Sequence, residues 1–226
     1  MSAVKAIFIK QANDFSKNMA VTMMYIIWPL LAFLMGQFMG EYAAPQIAMF
    51  AGMFVGSTPM IAIANTVAED NESKGLRFLV MAGVKPWQYL FGLTGFVLVM
   101  SAVSVAAFVF IGGFYGNQLA SFLIIAALSC LCSAILGGAI GIFSKNVQQA
   151  SVIYTPLMML LMFAPMFAMF NETIHRIAQF IFSYQVLRIV ADLSADFGRA
   201  IIIILGNIVV LLIFFVVAYK KKGLRG

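Results

Sequence analysis

The 226-residue sequence holds one histidine, His175, and Glu172 stands one helical turn before it. A histidine beside a carboxylate can bind a metal ion or move a proton, but a metal site needs further ligands converging on the same point. The sequence supplies none: it has no HExxH, no CxxC and no paired His/Cys cluster. His175 therefore reads as a surface or interfacial residue near an acid, and Arg188 and Asp192, spaced i,i+4, read as partners of each other. Cys130 and Cys132 lie two apart in an apolar run, so on a helix they point to different faces and cannot form a disulfide. The Gly-x-x-x-x-Gly-Lys-Ser/Thr phosphate loop is absent, so any ATP hydrolysis must be borrowed from another protein. No catalytic residue, no metal site and no cofactor bound by this chain are expected.

Recognition chemistry is better represented, in the polar stretch from Glu69 to Trp87. Acidic residues come first, where a helix dipole favours them. Leu76, Leu79, Val80 and Gly83 then repeat at i, i+3, i+4 and i+7, and Gly83 with Pro86 ends one helix and opens the next. The spacing predicts a short helix over 70–83 whose apolar stripe rests on the protein. Glu72, Arg77 and Phe78 turn away from that stripe, and with Glu69 and Lys74 they combine both charge signs with an exposed aromatic, the composition of a small docking surface.

The elements that carry this surface follow from composition. The sequence is 63% hydrophobic and 10% charged, with a net charge of +6, which excludes a water-soluble fold. Charge-free intervals run between Lys17 and Glu41, Glu41 and Glu69, Lys85 and Lys145, Lys145 and Glu172, and Arg199 and Lys220. Each is long enough to cross a bilayer. The longest is broken at Gly112, Gly113, Gly116, Asn117 and Gln118, which divides it into two helices. The prediction is an all-α integral membrane protein forming a single transmembrane domain over 1–226, with six spans at about 19–40, 46–67, 88–111, 119–143, 149–170 and 200–219.

Eleven of the 14 Lys and Arg fall on one side of these spans, and only Arg176, Arg188 and Arg199 on the other. The positive-inside rule then puts both termini in the cytoplasm. Over 3–17, Val4, Ile7, Phe8, Ala12 and Phe15 share one side of a helical wheel opposite Lys10, Asn13 and Lys17, so this segment is expected to lie flat on the inner leaflet. No small-residue cleavage site follows the first span, which reads as a retained helix. In the outer segment 172–195 the apolar stretch between Arg176 and Arg188 is too short to cross again, and the segment is expected to form re-entrant helices that cap the path like a gate. Its Ile174, Ile177, Ala178 and Ile181 form an apolar stripe, with Tyr184 at interfacial depth.

Inside the spans, glycines recur four apart at Gly36/Gly40, Gly52/Gly56, Gly112/Gly116 and Gly137/Gly141, which permits close helix crossings within one chain or between two. Methionines also form stripes. Met49, Met53 and Met60 share a face of the second span with Ser57, and Met158, Met162, Met166 and Met169 a face of the fifth. Methionine adapts to varied apolar partners, so these faces read either as a cargo path or as helix packing.

On these residues the chain resembles the permease subunits of ABC-2 type transporters. The resemblance covers nearly the whole chain, and its most specific part is Glu72-Ser-Lys-Gly75-Leu-Arg-Phe-Leu79 with Val84-Lys-Pro86-Trp87 and Tyr89-Leu-Phe-Gly92, which is similar to the family's segment after span two. Two departures are Leu76 where the family often has Thr, and Gly83 before Val84 where it often has Pro. The resemblance implies that the 70–83 segment is the coupling helix seated in an ATPase groove. It also implies an exporter built from this chain and a second copy or a similar permease, with two copies of a separate cytoplasmic ATPase carrying ATP and Mg. The cargo would be an amphipathic peptide, drug or lipid-like molecule, the setting a bacterial cytoplasmic membrane, and no nucleic acid is involved. The alternatives are a six-span substrate-capture subunit, which should show a compact polar pocket, and a non-transporting scaffold or immunity protein.

Overall fold

The computed structural model describes residues 3–40, 43–75, 78, 81, 83–84, 86–191 and 196–222. The described residues form helices and turns, with helices α1 (Ala3–Lys17), α2 (Met19–Met39), α3 (Ala43–Glu72), α4 (Pro86–Gly112), α5 (Gly116–Phe143), α6 (Val147–Phe167), α7 (Glu172–Ala178), α8 (Phe182–Ala191) and α9 (Phe197–Lys222). Six of them, α2 to α6 and α9, are long and apolar enough to cross a membrane, in agreement with the all-α, six-span expectation.

Helix α3 is the axis of the bundle. Of its most apolar stretch 94% is buried, against 11% for α9 and 17% for α2, and it packs on α2, α4, α5, α6 and α8. Glycine makes this possible. A Cβ on Gly137 of α5 would lie 2.3 Å from the Met60 carbonyl oxygen, and one on Gly141 would lie 2.5 Å from Val67 Cβ, so α3 and α5 touch backbone to backbone. Gly52 and Gly56 likewise give α8 and α6 their places beside α3, whereas Gly36 and Gly40 of α2 face open space. Two of the glycine pairs therefore serve crossings inside this chain.

The spans also contain prolines, each of which leaves the carbonyl four residues earlier without its helical donor. In three cases a serine from another helix supplies the missing hydrogen bond. Pro29 strands the Tyr25 carbonyl, which accepts from Ser104 Oγ of α4 at 2.9 Å. Pro59 strands Val55, which accepts from Ser133 Oγ of α5, and Pro165 strands Leu161, which accepts from Ser183 Oγ of α8 at 2.7 Å. In an apolar surrounding these carbonyls have no water to turn to, so each serine fixes which helix lies beside each proline.

At the lysine-rich end, α1 lies against α4, with Ile7 buried over Gly92 and the rings of Phe8 and Phe96 meeting edge to face at 5.4 Å. The corner into α2 is closed by Asn18, whose side chain accepts from Val21 N, and by Thr22, whose hydroxyl donates to the Phe15 carbonyl. At the far end α7 and α8 connect α6 to α9. Residues Phe182 to Leu187, Ile189 and Val190 of α8 are buried, so this helix inserts between α3 and α5 instead of covering them.

The expected helix over 70–83 starts differently. Helix α3 runs unbroken through Glu72, so Glu69, Asp70 and Glu72 occupy its final turns, the end that the dipole disfavours for acids. Tertiary partners described below offset that cost. Lys74 then takes a left-handed conformation, φ +57°, and closes α3. Phe78 and Met81 are helical again, while Leu76, Arg77, Leu79, Val80 and Lys85 lie outside the described residues.

Candidate functional site

The last turn of α3 is the point where four other helices are fastened. Asp70 is buried, and its carboxylate is shared. Lys10 Nζ of α1 lies 2.7 Å from Oδ1, and the Tyr89 hydroxyl of α4 donates to Oδ2 at 2.6 Å. Lys10 also lies 3.8 Å from Asp14, so one lysine answers two carboxylates. Asn71 donates through Nδ2 to the carbonyls of Gly141 at 3.1 Å and Ser144 at 3.0 Å, at the C-terminal end of α5 where helical donors run short. Glu72 Oε2 accepts from Val147 N at 3.4 Å, placing an acid at the N-terminus of α6, where the dipole favours it. Three successive residues thus tie α3 to α1, α4, α5 and α6.

A cavity of about 70 Å³ opens beside this turn, lined by Lys10, Gln11, Asp14, Thr66 and Glu69 among others. Gln11 is 4% exposed and its Nε2 has no hydrogen-bond partner among the described residues, so the cavity suits a few ordered waters.

Of the residues singled out for docking, Glu69, Glu72, Lys74 and Phe78 are exposed, Phe78 by 65% and Glu69 at the rim of the cavity, while Arg77 lies outside the described residues. Asp70, Asn71, Lys10 and Tyr89 were not singled out. Their link spans 60 positions between Lys10 and Asp70, with no local signature.

The methionine stripes lie on the adjacent helices α3 and α6. Met53, Ser57, Met60 and Met162 are buried within the chain, and Met49, Met158 and Met166 are half-buried. Ser57 donates to the Met53 carbonyl of its own helix at 2.7 Å.

At the far end, Asn171 caps α7 by accepting from Thr173 N and Ile174 N, and Glu172 pairs with Arg176 at 3.0 Å. Ala178 is buried and Ile174 and Ile181 are half-buried, but Ile177 is 67% exposed and leaves the expected stripe. The Tyr184 hydroxyl and His175 Nδ1 are 3.0 Å apart, and burial pushes the Tyr184 phenol above its usual range against the opposing pull of Arg188. Asp192, the expected partner of Arg188, lies outside the described residues.

The family model described as ABC-2 family transporter protein matches residues 4–219. The chain belongs to the ABC-2 transporter family. No curated relative matches it. As an ABC-2 family member it is a multi-pass membrane protein and the permease subunit of an ABC transporter, working with an ABC ATPase subunit. Within such a permease, the fastened last turn of α3 and the exposed Lys74 and Phe78 beyond it form the candidate contact with that partner.

Proposed function

We propose that this permease is one half of the membrane domain of an ATP-driven exporter, paired with a second copy of itself or a similar chain and served by two copies of a separate ATPase. The observation that carries the reading is the junction at Asp70, Asn71 and Glu72. The exposed residues Lys74 and Phe78 follow directly on a turn bonded to α1, α4, α5 and α6. A displacement applied there by an ATPase would be passed to four helices at once, which alternating access between inward and outward states requires.

On this reading Glu69, Glu72, Lys74, Arg77 and Phe78 form the coupling surface, and the lysine-rich end with both termini faces the cytoplasm of a bacterial cell. Amphipathic peptides, drugs or lipid-like molecules pass outward along the α3–α6 side. Met49, Met158 and Met166 are partly accessible there, and Met53, Ser57, Met60 and Met162 join the path when α6 parts from α3. Helices α7 and α8, with Ile174, Ile177, Ile181 and Tyr184, close the outer end as a gate. Against the capture-subunit alternative, which calls for a compact polar pocket, the spans offer only scattered Gln37, Asn65, Thr66 and Asn207.

The test is Glu72→Ala and Arg77→Ala in the permease co-expressed with its ATPase. ATP hydrolysis should persist and become uncoupled from export, with membrane insertion intact. Normal export and normal ATPase binding in both variants would remove the coupling assignment.

A further inference from the structure

Helices α7 and α8 are held to each other as one piece. The Tyr184 hydroxyl meets His175 Nδ1, Gln185 Nε2 donates back to the Gln179 carbonyl that ends α7, and Ile181 N donates to the Ala178 carbonyl at 2.8 Å. Among the described residues, four side-chain hydrogen bonds join this piece to the spans. Asn207 Nδ2 of α9 donates to the Phe180 carbonyl at 2.8 Å, Ser129 Oγ of α5 to the Phe182 carbonyl at 3.4 Å, Ser183 Oγ of α8 to the Leu161 carbonyl of α6 at 2.7 Å, and Arg199 Nη2 of α9 to Gln179 Oε1 at 2.8 Å.

The third bond differs in kind. Its acceptor has lost its helical donor to Pro165, and it lies against α3 at Gly56, where a Cβ would approach the Leu161 oxygen to 3.1 Å. A Cβ on Gly52 would approach the Ser183 carbonyl oxygen to 3.2 Å. Three helices therefore meet around one hydrogen bond, and the two glycines leave the space it occupies. A stranded carbonyl in this apolar setting is satisfied only while α8 is seated.

We propose that Ser183 and the proline-freed Leu161 carbonyl form a releasable clasp, which holds the α7–α8 piece to α6 at the Pro165 break and sets whether that piece is seated or withdrawn. The gate assigned to α7–α8 above would use this clasp, but the clasp is defined by the proline and can be read without any cargo. Its signature is dependence on Pro165: once residue 165 carries an N–H, Leu161 has an internal donor and Ser183 becomes dispensable.

The experiment measures hydrogen exchange of the backbone amides of 182–191 in the full-length chain in lipid nanodiscs. Ser183→Ala, Pro165→Ala, the double variant and Ser129→Ala in both backgrounds are compared. Ser183→Ala should speed exchange of this helix roughly three- to tenfold when Pro165 is present, the range for one hydrogen bond between membrane helices, and change it little in the Pro165→Ala background. Ser129→Ala, whose acceptor is not freed by a proline, should act equally in both. If Pro165→Ala does not fold, Pro165→Gly restores the same N–H and gives the same comparison. An equal effect of Ser183→Ala in both backgrounds would reduce Ser183 to ordinary packing, and no effect in either would remove the clasp.

Discussion

The hydroxyl of Tyr89 donates to the buried carboxylate of Asp70 over 2.6 Å, while Lys10 holds the other oxygen from the opposite side. Hydrogen bonds to charged groups contribute about 1.5–3 kcal/mol, and those between membrane helices less, so Tyr89→Phe should lower stability by about 1 kcal/mol. Asp70→Ala should cost more, since Tyr89 is then left buried without an acceptor. Unfolding in mixed micelles checks both, and an Asp70→Ala chain as stable as the parent would remove the junction from the argument.

Glycine positions inside the bundle should separate sharply from those outside. Gly137→Ala must push α3 and α5 apart, because the new Cβ would collide with the Met60 carbonyl, and should cost about 3 kcal/mol or prevent accumulation of the folded chain. Gly36→Ala has open space around it and should stay within about 0.5 kcal/mol of the parent. Similar losses at both positions would mean that α3 and α5 do not cross in this way.

Orientation is read by labelling. Cysteines at Asn117 and His175 should react with an impermeant reagent from outside, and cysteines at Lys74 and Lys145 only after the membrane is opened. The reverse pattern would overturn the positive-inside assignment.

The Tyr184 phenol, raised by burial, predicts a pH dependence with a definite sign. Its neutral form is favoured in the folded chain, so its contribution is fully present below the ordinary tyrosine value near 10 and is lost as pH rises through the raised one. The stability advantage of the parent over Tyr184→Phe should therefore hold steady to about pH 9.5 and shrink above about pH 10. An advantage that grows at high pH would contradict the buried setting of Tyr184.

The spans were legible because charge is so costly inside a bilayer that the few charged residues mark nearly every boundary. The turn at Gly112 to Gly116 was legible for a related reason: Gly113 and Gly116 adopt φ of +60° and +55°, values glycine takes without strain. The end of α3 was misplaced because the dipole rule, applied to Glu69, Asp70 and Glu72 alone, favours a helix start. Lys10, Tyr89 and the α6 N-terminus, distant in sequence, reverse that preference. Periodicity pointed to α7 as the buried outer helix, yet Ile177 is exposed and α8 is the one enclosed. Helix α8 has a stripe of its own, Phe182, Val186, Ile189 and Val190 at i, i+4, i+7 and i+8, but its polar Ser183 and Gln185 are buried as well, which periodicity does not forecast. The serine donors were equally invisible, since a proline declares which carbonyl it frees but not which helix will answer it.

The central place of α3 has a consequence for biogenesis. At ordinary rates of synthesis, Gly137, which receives the Met60 backbone, emerges on the order of ten seconds after it. Through that interval α3 has no α5 to lie against, Val55 and Met60 have no mate, and Asn71 has no carbonyls to reach. The helix most enclosed in the finished protein is thus the one that waits longest for its surroundings. A ribosome-stalled or truncated chain ending after α4 leaves it with only α2 and α4 beside it, its glycine grooves and polar spots open to lipid, which the insertion machinery must shelter and quality-control proteases can recognise.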